Sequence, residues 1–173
     1  GDYIGQGKEW FYQPTDGRFS IRRNFDKGVN FNFSNFGHSG SQRSIWWNAE
    51  FAAPFEQQLL PGLYEGATRF PFQSSNNPGF SFTGNGRGCN RSGSRFEVLE
   101  IGYDDAGVVS SFDAIFAQYC ENVSATATPA IFGRVRYNAG AVTTNDDAAS
   151  VPEPSMLMGL IALSFFGRNI GKR

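Results

Sequence analysis

Val29-Asn30-Phe31-Asn32-Phe33-Ser34 alternates apolar and polar residues without a break. Side chains on a strand point to opposite faces in turn, so Val29, Phe31 and Phe33 share one face and Asn30, Asn32 and Ser34 the other. This is a strand with one buried and one solvated face, the habit of antiparallel sheets. Working outward, similar short runs recur, and no apolar 3.6-residue period is sustained over three turns. Nine strands are expected at 8–13, 18–25, 29–34, 44–53, 62–67, 79–83, 95–103, 108–120 and 130–138. Asp16-Gly17 and Asp104-Asp105-Ala106-Gly107 fit hairpin turns, and Pro61-Gly62 and Pro78-Gly79 mark corners. Composition agrees: 21 Gly and 18 Phe in 173 residues, with 18% charged, does not suit a helical bundle. The expected fold is all-β, an antiparallel β-sandwich or jelly roll of about nine strands, with a closed barrel as second choice. In 108–120, Val108, Phe112, Ala114, Phe116 and Cys120 are expected to share the core face.

Composition changes after Tyr137. Residues 139–150 are small and polar and read as a linker, so the folded domain is expected to span 1–138. Val151-Pro152-Glu153-Pro154 follows, an extended, exposed segment because each proline fixes φ. Then comes an uncharged run of eleven residues, Met156-Leu157-Met158-Gly159-Leu160-Ile161-Ala162-Leu163-Ser164-Phe165-Phe166, and a basic end carrying Arg168, Lys172 and Arg173. This order over 151–173 resembles the PEP-CTERM sorting signal of exported bacterial proteins. The resemblance implies export, transient anchoring in the inner membrane by one short C-terminal membrane helix, and processing by an exosortase at the Pro-Glu-Pro motif. The basic tail would stay cytoplasmic by the positive-inside preference. An eleven-residue helix spans about 16 Å against roughly 30 Å of hydrocarbon, so the anchor is short for its task, and the tail GRNIGKR departs from an arginine cluster. The chain starts Gly1-Asp2-Tyr3, and the secretion leader that accompanies such a signal is expected to lie outside it. GNGRGCN, FEVLEIGYD, SFDAIFAQYCE and GRVRYN also look like exported bacterial β-domains, a resemblance that implies no activity.

An extracytoplasmic location makes a disulfide the economical use of Cys89 and Cys120, the two cysteines of the chain. His38, the one histidine, lies in a Gly/Ser loop and reads as solvated, and a zinc set of Cys and His is excluded by number. Neither G-x-S-x-G nor a phosphate-cradling loop with Lys occurs. Gly84-Asn85-Gly86-Arg87-Gly88 reads as a tight turn. Glu97 and Glu100 differ in parity and are expected on opposite faces, which counts against a glycosidase pair. No cofactor or metal is expected. Trp46 and Trp47 are adjacent on one strand, so one indole is expected to face out as a possible sugar platform.

Of the 15 Lys and Arg and 16 Asp and Glu, three basic residues and one acidic residue belong to 151–173. Residues 1–150 therefore carry 12 basic and 15 acidic groups, a net charge of −3. Nucleic acid and acidic polysaccharide are poor partners for such a surface; neutral glycans suit it better. The expected function is that of a noncatalytic, exported cell-surface or secreted protein associated with extracellular polysaccharide or biofilm matrix. The alternative is a small carbohydrate-active enzyme, a glycosidase or lyase, on the same β scaffold.

Overall fold

The computed structural model describes residues 2–38, 44–121 and 129–140. Eight strands follow one another: β1 (Arg18–Arg23), β2 (Val29–Ser34), β3 (Trp46–Ala52), β4 (Gly62–Arg69), β5 (Gly79–Gly84), β6 (Ser92–Tyr103), β7 (Val109–Cys120) and β8 (Ile131–Tyr137). A short 3-10 turn, Pro54–Glu56, lies between β3 and β4. The fold is all-β, but it is not a sandwich. One continuous sheet runs in the order β1-β2-β3-β5-β4-β6-β7-β8, and it curls until β1 approaches β7, a barrel that is nearly closed. Inward phenylalanines pack with Val29, Leu59, Val98 and Val109 inside the curl, so no second sheet is needed to cover the apolar face.

Two further expectations are corrected. Residues 8–13 form no strand; their backbone is held by local turns, with Lys8 N–H donating to Gly5 O at 3.2 Å and Gln13 N–H to Asp16 Oδ2 at 2.8 Å. Alternating apolar residues are read alike in a strand and in a strap that presents every second ring to a core. The sheet is also mixed: β4 runs parallel to β5, through only Thr68–Gly79 and Arg69–Phe80. The chain turns back over 70–78 before entering β5, a connection that leaves little overlap between the two strands.

The core is built where sequence alternation placed it. Val29, Phe31 and Phe33 from β2 are all buried, and Phe51 of β3 sits at the centre. Its ring lies 4.9 Å from Phe80 and 5.2 Å from both Phe96 and Phe112, centroid to centroid, in tilted and edge-on contacts. Gly133 of β8 faces Phe116 of β7, and a Cβ added there would stand 2.3 Å from the Phe116 ring. The glycine is thus the space into which that ring packs. On β7 the expected face is only partly kept. The irregularity at Gly102/Tyr103 leaves Ser110 as an extra residue on β7, so Val109 is buried and Val108 is exposed.

Cys120, at the end of β7, is bonded to Cys89, which lies just before β6. Closing this loop restrains the unfolded chain by about 3 to 4 kcal/mol in the chain-entropy treatment. Cys89 belongs to a second apolar cluster with Ile4, Phe33 and Trp47, so the N-terminal segment caps this end of the barrel. Asp2 ties that segment together, its carboxylate accepting from the Gly5 and Gly7 amides at 2.5 and 3.3 Å.

Candidate functional site

Every second residue of β1, β2, β3 and β5 points out of the barrel, and register sets these residues in rows. Ser20, Asn32, Asn48 and Thr83 form one row across four strands; Arg22, Asn30, Glu50 and Ser81 form the next. A third row runs Arg18, Ser34, Trp46. Neighbouring strands lie about 4.8 Å apart and same-face residues about 7 Å apart along a strand, which makes a grid of polar side chains with one indole at its end. Within it Asn30, expected on a solvated face, and Ser81 are buried, and Asn32, Ser34, Asn48, Glu50, Thr83 and Trp46 are partly exposed. Its centre is preorganised. Asn30 Nδ2 donates to Asn48 Oδ1 at 2.8 Å and to Glu50 Oε1 at 3.3 Å, and Asn32 Nδ2 donates to Asn48 Oδ1 at 3.2 Å. The Trp46 main chain is clamped by Asn85, whose side-chain Oδ1 accepts from Trp46 N–H at 3.1 Å.

Partial burial raises the Glu50 pKa from its ordinary value; the Asn30 hydrogen bond and the nearby Arg22 charge lower it less, and Asp26 adds to the rise. Asp26 is itself raised by burial, against hydrogen bonds from the Gly28 amide and its own backbone amide. It is almost fully covered inside the β1–β2 turn, where it braces Gly28 N–H at 3.1 Å, and serves the turn.

The two tryptophans divide as the strand period requires. Trp46 faces outward on the grid, half-buried, while Trp47 faces inward and is buried. Cys89 and Cys120 are brought together. His38 is exposed after the turn that follows β2. Glu97 and Glu100 do not face opposite ways: the bulge at Leu99 pairs Glu97 with Ile115 and Glu100 with Asp113, both on the outer face. Glu100 is engaged there, accepting from Gly140 N–H at 3.0 Å. Asp104 closes the β6–β7 turn by accepting from the amides of Ala106 and Val108, at 3.0 and 2.8 Å. Val151, Pro152, Glu153, Pro154, the run 156–166 and the basic tail lie outside the described residues. Among the described residues no helix is long and apolar enough to cross a membrane, and no three His, Cys, Asp or Glu side chains group as a metal site.

A second feature had no counterpart in the sequence reading. Where β1 and β8, the two ends of the sheet, part company, a cleft of about 810 Å³ opens into the barrel. Phe33, Trp47, Phe82 and Phe116 form its depth, Phe19 and the inward side of β8 its walls, and residues 8–14 its lip. Trp10 meets Trp47 edge-on at 5.4 Å, and Tyr12 stacks on Phe33 at 4.4 Å. Trp10 and Tyr12 were legible only as alternating apolar residues.

No family model, no curated protein and no solved structure matches the chain.

Proposed function

We propose that this chain is an exported, noncatalytic cell-surface or secreted protein that holds neutral extracellular polysaccharide on the outer grid of β1, β2, β3 and β5. In this reading an exosortase processes Val151-Pro152-Glu153-Pro154 after a short helix over 156–166 has anchored the chain in the inner membrane. The observation that carries the ligand assignment is that Trp46 stands beside the partly exposed amide row of Asn32 and Asn48, with the buried Asn30 amide bracing that row from behind. An indole gives a pyranose ring an apolar face to lie on, and amides donate and accept at once, as sugar hydroxyls require. A body charge of −3 suits an uncharged glycan.

The test is calorimetric titration of the chain with neutral oligosaccharides of glucose, galactose and mannose. Trp46→Ala should weaken binding about tenfold or more while leaving the fold intact, since the indole is half-exposed. Equal affinity in wild type and W46A would refute the platform. The C-terminal residue, read by mass spectrometry with and without an exosortase in the host, tests the sorting half separately. The carbohydrate-active alternative draws on Glu50, a grid carboxylate with a raised pKa. New reducing ends in the polysaccharide, lost in Glu50→Gln, would favour it.

A further inference from the structure

One end of the barrel carries aromatic side chains that the domain does not bury. Phe25 in the β1–β2 turn, Phe55 after β3 and Phe72 in the β4–β5 loop are 81, 63 and 72% exposed. Their loops are packed together: the Phe25 ring lies 5.9 Å from buried Phe70, and Phe55 N–H donates to Ser75 O at 2.6 Å. Phe55 holds a left-handed backbone, φ 59°, a conformation that costs free energy and that no burial of its ring offsets. Arg23 and Lys27 flank Phe25 in sequence, and the Arg69 guanidinium lies 4.9 Å over the Phe72 ring. The exposed acids at this end are Glu56, Asp104 and Asp105, and Asp104 is engaged by the amides of its own turn. The chain leaves the barrel at the same end. A Cβ on Gly107 would stand 3.1 Å from Arg23 Nη1, Tyr103 Oη–H donates to Leu59 O at 3.0 Å, and Asn138 Nδ2 donates to Ser110 O at 3.3 Å. These contacts bring the β1–β2, β3–β4 and β6–β7 loops to the end of β8. Residues 141–155 then lead to the apolar run 156–166; as a flexible chain those 15 residues reach about 20 Å.

We propose that this end of the barrel docks on a lipid bilayer, with Phe25, Phe55 and Phe72 among the headgroups and upper acyl chains and Arg23, Lys27 and Arg69 against lipid phosphates. The inference rests on the reading of 156–166 as a membrane anchor and adds to it a second contact, made by the folded domain. Where the chain leaves the barrel decides for a bilayer: a tether of about 20 Å keeps this end, and not the opposite one, at the surface and raises its local concentration there. Rings carried on separate loops also suit lipid, which closes around each of them, whereas a rigid protein partner would need a matched pocket for every ring. Arginine and lysine lay their apolar stems along such rings and keep their charges at headgroup level. Trp46 lies at the other end of β3 from Ala52, about 20 Å along the strand, so a docked barrel turns the glycan platform away from the membrane.

The test uses the full chain, disulfide intact, and vesicles of phosphatidylcholine with a quarter of phosphatidylglycerol, some of them carrying brominated acyl chains. In Phe55→Trp the added indole emission should shift to the blue and be quenched by the brominated lipid, whereas Phe36→Trp, exposed at the opposite end, should be quenched no more than wild type. Charging the apolar run with Leu160→Arg and Leu163→Arg separates the two contacts. Wild type should float with vesicles more strongly than L160R/L163R, and the residual affinity of that variant should fall about tenfold when Phe25→Ser and Phe55→Ser are added, because two rings no longer leave water. Equal flotation of wild type and L160R/L163R would sink the anchor reading, and F55W quenching would then decide the docking alone. Flotation with F55W quenched no more than F36W, residual affinity unmoved by F25S/F55S, or F25S/F55S turning a dimer into a monomer in sedimentation without vesicles would each overturn the proposal, the last in favour of a second copy of this chain.

Discussion

Replacing Gln118 by leucine should destabilise the barrel far more than an ordinary substitution of similar volume. Strand β5 is paired with β3 along its length, but β4 reaches only Gly79 and Phe80 on the other side. Phe82, further along, has no strand there to receive its peptide group. Gln118, on the inner face of β7 and almost fully buried, supplies the missing partner. Its Oε1 accepts from Phe82 N–H at 2.8 Å, and its Nε2 donates to Phe82 O at 3.0 Å. One side-chain amide thus stands in for a strand. Leucine would leave both groups of Phe82 without these bonds, at about 1 to 3 kcal/mol each, offset by roughly 1 kcal/mol of added apolar burial. The net loss is about 1 to 5 kcal/mol, set against the roughly 5 to 15 kcal/mol typical of a domain. With a urea slope of about 2 kcal/mol/M, the unfolding midpoint should fall by roughly 0.5 to 2.5 M at unchanged slope. Hydrogen exchange should localise the effect, the Phe82 amide being protected in wild type and among the first to exchange in Q118L. A midpoint within about 0.2 M of wild type would refute the reasoning.

Two other substitutions probe the core and the grid. Gly133→Ala sets a Cβ 2.3 Å from the buried Phe116 ring, so about 1 to 3 kcal/mol of overpacking is expected, read as a lowered urea midpoint. Glu50 has its pKa raised above 4.5 by burial, so the folded state holds its proton more tightly than the unfolded state does. Its contribution to stability is therefore full below the ordinary carboxylate range and is lost as pH rises through the raised value. Glu50→Gln should raise the melting temperature at pH 7, and the advantage should vanish as pH falls to about 4; a constant difference across that range would exclude this origin.

Much of the fold was legible because a period of two survives any strand order. Val29, Phe31 and Phe33 are buried whichever strands flank β2, and the two cysteines pair whether the barrel closes or not. What alternation does not encode is which edges meet. A sandwich and a curled single sheet ask the same residues to point inward, and they differ in long-range pairings such as β3 with β5 and the short parallel contact of β4. Bulges defeat parity for a related reason. One extra residue at Leu99 turns Glu100 to the face of Glu97, and no glycine or proline beside it announces the change.

The sites show the same division between local and assembled information. That one of Trp46 and Trp47 faces out follows from adjacency on a strand, but that it completes rows with Ser34, Asn32 and Asn48 depends on the register of three strands. The cleft is less legible still, since its rings come from the N-terminal segment, from strands of both halves of the sheet and from β8. One sign was present at the level of sequence: along β7 the inward parity runs Phe112, Ala114, Phe116, then Gln118. A polar residue on an otherwise apolar face is stable only with partners, and here the partners are the backbone of Phe82, whose ring stacks on Trp47. The incomplete β4–β5 pairing that made the sheet hard to foresee thus requires Gln118, and the same amide fixes Phe82 in the cleft wall.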